Sequence, residues 1–319
     1  MTPGKAFMTS EEIRPLAERS DIKGAYLVAH AWAMIALAVV LFALFPNVVT
    51  FVLAIAIVGS RQLGLAILMH EAAHNALFRN RRLNDRIGEW ACARPILADL
   101  PNYRQYHLTH HRHTQTDKDP DLPLSQKFPT TKASLKRKFL RDITGRTGLK
   151  QFASQVAASI RMAGDEDARD AAAADFAQAF KSLHFLTSLP FFLFPALVMS
   201  VLGDWWYGFA FWLLPYFTWF QLVLRIRNIA EHGAVEVSEN PLQNVRTTRA
   251  NWIERAFIAP YWVNFHLEHH MIMHVPCWNL PRMHALLKEK GLGSSMRTAT
   301  GYTQALREAG WHAGYVIHI

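Results

Sequence analysis

The sequence predicts an all-α membrane protein: four transmembrane helices in two hairpins, under a cytosolic helical cap that carries a di-metal site. Three observations predict it. Four apolar runs are each long enough to cross a bilayer. Basic residues gather in the segments on one side of those runs. On that same side lie three histidine clusters, His70-Glu-Ala-Ala-His74, His107-Leu-Thr-His110-His111 and His266-Leu-Glu-His269-His270.

Of the 319 residues, 51% are hydrophobic and ten are tryptophan, rich for a soluble protein and lean for a pure membrane bundle. A membrane part plus a polar part fits this balance. The formal charge of +9 sits beside apolar runs, so anionic membrane lipids rather than nucleic acid are the expected partner. Only Cys92 and Cys277 occur, so a disulfide framework is not expected. The opening residues are polar and mixed in charge, unlike a signal peptide, and the first apolar run is too long for a signal core.

A spanning helix needs about 20 apolar residues. The runs at 25–45, 47–68, 183–202 and 205–224 meet that length. Arg61 and Gln62 interrupt the second, and a charge there must snorkel, pair or face the bundle interior. Short connections at Pro46–Asn47 and Gly203–Asp204 make two hairpins whose tips share one side. Arg79, Arg81, Arg82 and Arg86 follow the second run, whereas the tips carry no basic residue. Positive residues stay inside, so both termini and the middle segment are expected in the cytoplasm. Trp205, Trp206 and Tyr207 suit an interfacial belt at the outer end of the fourth run. The cap then comprises 69–182 and 225–319 of a single domain, 1–319; within it, 88–100 is expected along the interface and 132–180 as surface helices, alanine-rich at 171–174.

This placement brings the histidines to the cytoplasmic mouths of the helices. His70 and His74 follow the second run, Asn228 and His232 the fourth, and the other two clusters lie in polar segments. Residues three and four apart share a helix face. His70 and His74 can grip one ion from adjacent turns, while each H-x-x-H-H can offer nitrogens to two neighbouring ions. With His232, nine imidazoles are too many for one zinc ion and enough for two metal ions. Imidazole suits zinc, copper, iron and nickel, and two ions in a histidine shell favour a redox or oxygen-activating centre. Glu71, Glu231 and Glu268 flank ligands and are placed to orient them or to face solvent. His113 and His274 read as outer-shell or surface residues; His30, His184, His284, His312 and His318 read as ordinary side chains.

Two other classes compete. His70, Glu71 and His74 also fit the H-E-x-x-H pattern of a membrane zinc metalloprotease, with Glu71 as general base. That reading leaves the remaining histidines unexplained. A metal transporter would place ligands near mid-membrane, not beyond the ends of the spans.

The H-x-x-x-H, H-x-x-H-H and H-x-x-H-H boxes resemble those of the integral-membrane fatty acid desaturase family, which also includes hydroxylases and ketolases. The resemblance runs from about the second span to Leu287. It implies four spans under a cytosolic cap and a non-haem centre of two iron ions (Fe2+), with molecular oxygen as co-substrate. By motif position the implied ligands are His70, His74, His107, His110, His111, His232, His266, His269 and His270, with Asn228 holding a metal-bound water. The Asp119-Pro120-Asp121 turn is similar to the family pattern. The first box has three intervening residues rather than the four of animal acyl-CoA desaturases, which sets the chain apart from them. The implied reaction is desaturation of a lipid or acyl-thioester substrate, with hydroxylation or ketolation as the alternative. With no fused haem carrier in view, electrons are expected from a separate ferredoxin-like or haem protein.

A tag inserted at Lys136 should be labelled only by reagents that reach the cytoplasm. Labelling from the periplasmic or luminal side would overturn the placement of the histidines.

Overall fold

The computed structural model describes residues 3–164, 185–236, 238 and 240–310. The expected start of the third run at 183–184, the alanine-rich stretch at 171–174, and His184, His312 and His318 lie outside the described residues. The chain is mostly helical. In chain order its main helices are α1 (Asp21–Leu44), α2 (Val48–Ala73), α3 (Leu100–His113), α4 (Lys132–Ile143), α5 (Arg146–Gly164), α6 (Phe185–Leu202), α7 (Trp219–His232), α8 (His266–Met271), α9 (Leu280–Glu289) and α10 (Tyr302–Gly310). A small parallel ribbon pairs β1 (Thr247–Thr248) with β2 (Thr298–Ala299). Among the described residues, four helices are long and apolar enough to cross a membrane: α1, α2, α6 and the stretch Phe209–His232 that ends in α7. The chain forms two compact units.

The first unit comprises Ser20–Leu108 and Arg141–Leu222. Ser20 caps α1, its hydroxyl accepting from the Lys23 amide at 3.3 Å. Asp21 in the first turn also accepts from the amides of Arg79 and Asn80, at 2.7 and 2.9 Å. Asn47 starts α2 by accepting from Val49 and Thr50, which satisfies amides that every helix start leaves open. α1 packs on α2. Gly24 is buried where α1 meets the segment after α2; a Cβ there would lie 2.2 Å from the Leu77 carbonyl oxygen.

The polar break in the second run has a structural answer. Gln62 is fully buried and donates to the Trp212 carbonyl at 2.9 Å. Close to it, Gly59 and Ser60 admit Trp219, whose indole N–H donates to the Ser60 hydroxyl at 3.0 Å. Trp212 lies in a π-helical turn, Phe209–Leu213, and Thr218 (φ −116°, ψ −85°) breaks the helix before α7 begins.

Two spans reach further at their C-terminal ends than hydropathy predicts. The second helix runs to Ala73 rather than 68, and the fourth to His232 rather than 224. The cause is the same in both: Glu, His and Arg end a hydropathy run without ending a helix, because their helix propensities are ordinary. His70 and His232 therefore lie in the last turns of the spanning helices instead of following them. Segment 88–100 forms a π turn and a 3₁₀ turn that pack on α2 and α6. Of the expected aromatic belt, Trp205 is 85% exposed, whereas Tyr207 is buried against Phe42 with ring centres 5.9 Å apart.

The second unit comprises Met1–Arg19, Thr109–Leu140 and Val223–Ile319. Its N-terminal helix Ser10–Leu16 carries a capping box between Thr9 and Glu12. It is tied down by Lys290 on Glu12 at 2.7 Å and by Asn279 donating to the Leu16 carbonyl at 2.8 Å. Phe128, Leu135, Ile229 and Ala309 form its core, and every residue of α8 is buried.

Gly24→Val should lower the stability of the detergent-solubilised protein by about 1–3 kcal/mol, since the clash is with backbone rather than a movable side chain. Thermal unfolding checks this; Ala25→Val, at an exposed neighbour, should leave the midpoint near its starting value.

Candidate metal centre

In the first unit, the end of α2 presents His70 and its C-cap residue His74, and α3 presents His107. All three are buried. Ring centres lie 4.9 Å apart for His70 and His74, 4.4 Å for His70 and His107, and 4.8 Å for His74 and His107. Their ligand nitrogens fall within 4.8 Å of one another. Tyr103 stacks on His107 at 5.3 Å, and Glu71 accepts from His70 Nδ1 at 3.3 Å. Arg104 fixes α3 against this helix end: Nε donates to the Ala73 carbonyl at 3.0 Å and Nη2 to the Ala72 carbonyl at 2.9 Å. The Ala72 carbonyl also accepts from the Asn84 side chain at 2.9 Å and the Asn75 amide at 3.0 Å, so this helix end is held from several sides.

The second unit gathers six histidines. His232 Nε2 and His266 Nε2 are 2.8 Å apart, and His111 Nε2 and His269 Nε2 are 3.0 Å apart. His110, His232 and His270 also turn their ligand nitrogens to within 4.8 Å of one another, as do Glu231, His232 and His266. The rings of His111 and His270 stack at 4.2 Å.

The outer edges of these rings are held by polar groups. His110 Nδ1 donates to Asp119 at 2.8 Å, and Asp119 in turn accepts from the amides of Gln115 and Asp121, at 2.8 and 2.9 Å. Burial disfavours a charged His110, but the Asp119 hydrogen bond and the charges of Asp121, Asp119 and Glu231 outweigh it and raise its pKa. His270 shows the opposite balance: burial first, then neighbouring imidazoles, push its pKa well below the usual value. Thr114 Oγ1 sits 3.4 Å from His270 Nδ1, while the buried Nε2 of His270 has no hydrogen-bond partner among the described residues. A neutral ring with an unused buried nitrogen suits metal ligation. Carboxylates behind, imidazole nitrogens in front, is a donor set that fits a metal ion.

The flanking acids are not solvated. Glu231 accepts from Arg227 at 2.7 Å and lies 3.7 Å from His266 Nδ1. Glu268 is fully buried and accepts from Thr247 Oγ1 at 2.5 Å and His284 Nδ1 at 2.6 Å. His284 therefore is not the ordinary side chain that the sequence suggests. Asn228 is half-buried one turn before His232. His113 and His274 join none of the converging groups among the described residues. Arg104, Arg246, Thr247 and His284 were not foreseen, because nothing in their spacing ties them to the boxes; Asp119 was visible only through the resemblance.

A family model described as fatty acid desaturase matches residues 43–300. The chain is 28% identical over 282 residues to dihydrorhizobitoxine desaturase of Bradyrhizobium elkanii, covering 84% of this chain and 75% of that protein. It is 28% identical over 255 residues to sn-1 oleoyl-lipid 12-desaturase of Synechocystis sp., covering 72% of this chain and 66% of that protein. It is 26% identical over 289 residues to a beta-carotene ketolase of Paracoccus sp., covering 88% and 97%.

Asp119→Asn keeps the shape of the turn but removes the carboxylate from His110 Nδ1. Metal affinity should fall about 10–100-fold, the usual cost of losing such a partner. Competition against a chelator of known affinity measures it.

Proposed function

Because this chain belongs to the fatty acid desaturase family, whose members are oxidoreductases, we propose that it is an oxygen-dependent di-iron desaturase that introduces a double bond into a lipid acyl chain. The observation that carries the reading is the set of eight histidines at the box positions together with His232, inside a family match that covers most of the chain. His70, His74, His107, His110, His111, His232, His266, His269 and His270 hold two Fe2+ ions, and Asn228 holds a metal-bound water. The whole chain, 1–319, acts as one desaturase-like domain. It is a membrane protein whose four spans form two hairpins, with both termini and the metal-bearing cap in the cytoplasm.

When bound, a pair of irons supplies oxygen activation and the removal of hydrogen from an unactivated carbon. This chain's residues set the conditions for that chemistry. Asp119 keeps the proton of His110 on Nδ1, so Nε2 presents its lone pair. Thr114 does the same service for His270 from the Nδ1 side. Glu268 is occupied by Thr247 and His284 and is not spent as a ligand. Seven of the nine rings are buried, which keeps bulk water from the site. Desaturation takes two hydrogens from the acyl chain; with two electrons and two protons from a donor, oxygen leaves as two waters. The electrons come from a separate ferredoxin-like or haem protein, and the acyl chain from a membrane lipid or a thioester.

Ketolation or hydroxylation is the second reading, favoured by the likeness to a carotene ketolase over nearly that protein's full length. The zinc protease reading of His70, Glu71 and His74 gains nothing from these relatives.

Purified protein should contain close to two irons per chain. Lipids of an expressing host, compared with an empty host by mass spectrometry, should show a product lacking two hydrogens; gain of an oxygen would select the second reading. His232→Ala should lower iron content and abolish product while folded protein remains in the membrane, and Asn228→Ala should impair turnover with a smaller loss of iron. Full iron and wild-type turnover in His232→Ala would sink the nine-ligand assignment.

A further inference from the structure

We propose that the adjacent residues Arg246 and Thr247 are positioning residues that set the separation of His232 and His266. The inference rests on the reading of those two histidines as metal ligands. His232 is the last residue of α7, and His266 is the first of α8. β1 lies between them in the chain, and their Nε2 atoms are 2.8 Å apart.

Each of the two residues grips one of the helices. The Arg246 guanidinium is fully buried and caps the end of α7. Nη1 donates to the carbonyls of Ala230 and Gly233 at 3.0 and 3.1 Å, and Nη2 donates to Ala234 at 3.1 Å. The Arg246 amide takes the Glu231 carbonyl at 2.9 Å. The last carbonyls of α7 thus converge on one residue, which leaves the helix end little freedom to unwind or turn. Glu308 anchors the guanidinium from behind at 3.1 Å, and burial lowers the Arg246 pKa only to about 10, so its charge persists at neutral pH.

Thr247 grips α8. Its hydroxyl donates to Glu268 at 2.5 Å and accepts from the Leu267 amide at 3.2 Å. Leu267 and Glu268 lie between His266 and His269, so this bond fixes the first turn of the helix that carries three of the histidines. Pairing of β1 with β2 holds the Thr247 backbone in place. A shift of either grip moves one imidazole and leaves the other where it was.

The test uses the full chain, purified in detergent with iron removed, and cobalt(II) as the probe. Thr247→Val keeps the side-chain shape and loses the hydroxyl; Thr247→Ser keeps the hydroxyl. Arg246→Gln loosens the other grip, and Thr247→Val carries the test if Arg246→Gln does not fold. Thr247→Val should weaken cobalt binding about 10–100-fold and change its visible absorption, and Thr247→Ser should restore both. His232→Ala and His266→Ala serve as references and should also lose cobalt. If they do while Thr247→Val binds cobalt with wild-type affinity and spectrum, showing only a lower melting temperature, the positioning role is overturned. If His232→Ala and His266→Ala bind cobalt as the wild type does, the ligand reading itself has failed and the proposal falls with it.

Discussion

The ends of two helices are the points on which each unit depends. A helix leaves its last carbonyls without partners, and here those carbonyls stand next to histidines. At the end of α2, Arg104 takes the carbonyls of Ala72 and Ala73; at the end of α7, Arg246 takes those of Ala230, Gly233 and Ala234. A guanidinium suits this work because its donors form a rigid fork, and its charge opposes the negative end of the helix dipole. Without such caps the final turn frays, and the final turn is where His70 and His232 are attached.

Most of the buried carboxylates stand at one remove, although a Glu231 oxygen also comes within 4.8 Å of the His232 and His266 nitrogens. Glu71, Glu231, Glu268 and Asp119 are all buried, and each faces the outer edge of a histidine or the hydroxyl and imidazole beyond it. A buried carboxylate is costly unless it is hydrogen-bonded, so these positions would be unfavourable without the partners they have. The arrangement keeps the imidazoles oriented and leaves the inner face rich in nitrogen donors.

Much of this was legible in the sequence. Apolar run length gave the four spanning helices, and i, i+3 and i+4 spacing gave the histidine groups. What was not legible has a physical cause. Hydropathy ended the second span shortly before His70 and Glu71 and the fourth at Arg225, although Glu, His and Arg continue a helix readily. His284 looked like a lone side chain because its partner Glu268 is brought to it by folding, not by spacing. Arg246 is a single arginine in a basic chain, and only burial distinguishes it. Tyr207 read as a surface aromatic, and packing on Phe42 makes it interior.

The amide of Gln62 has a further bearing on the end of its own helix. It lies eight residues before His70 on α2, and its bond to the Trp212 carbonyl is made in apolar surroundings. Sliding α2 along its axis by a single residue would carry His70 about 1.5 Å. Metal–nitrogen bonds tolerate only about 0.2 Å. The same slide would strand an amide and a carbonyl where no water can answer them, so the helix has an index mark deep in its apolar body that holds the imidazole at its tip to an ångström scale.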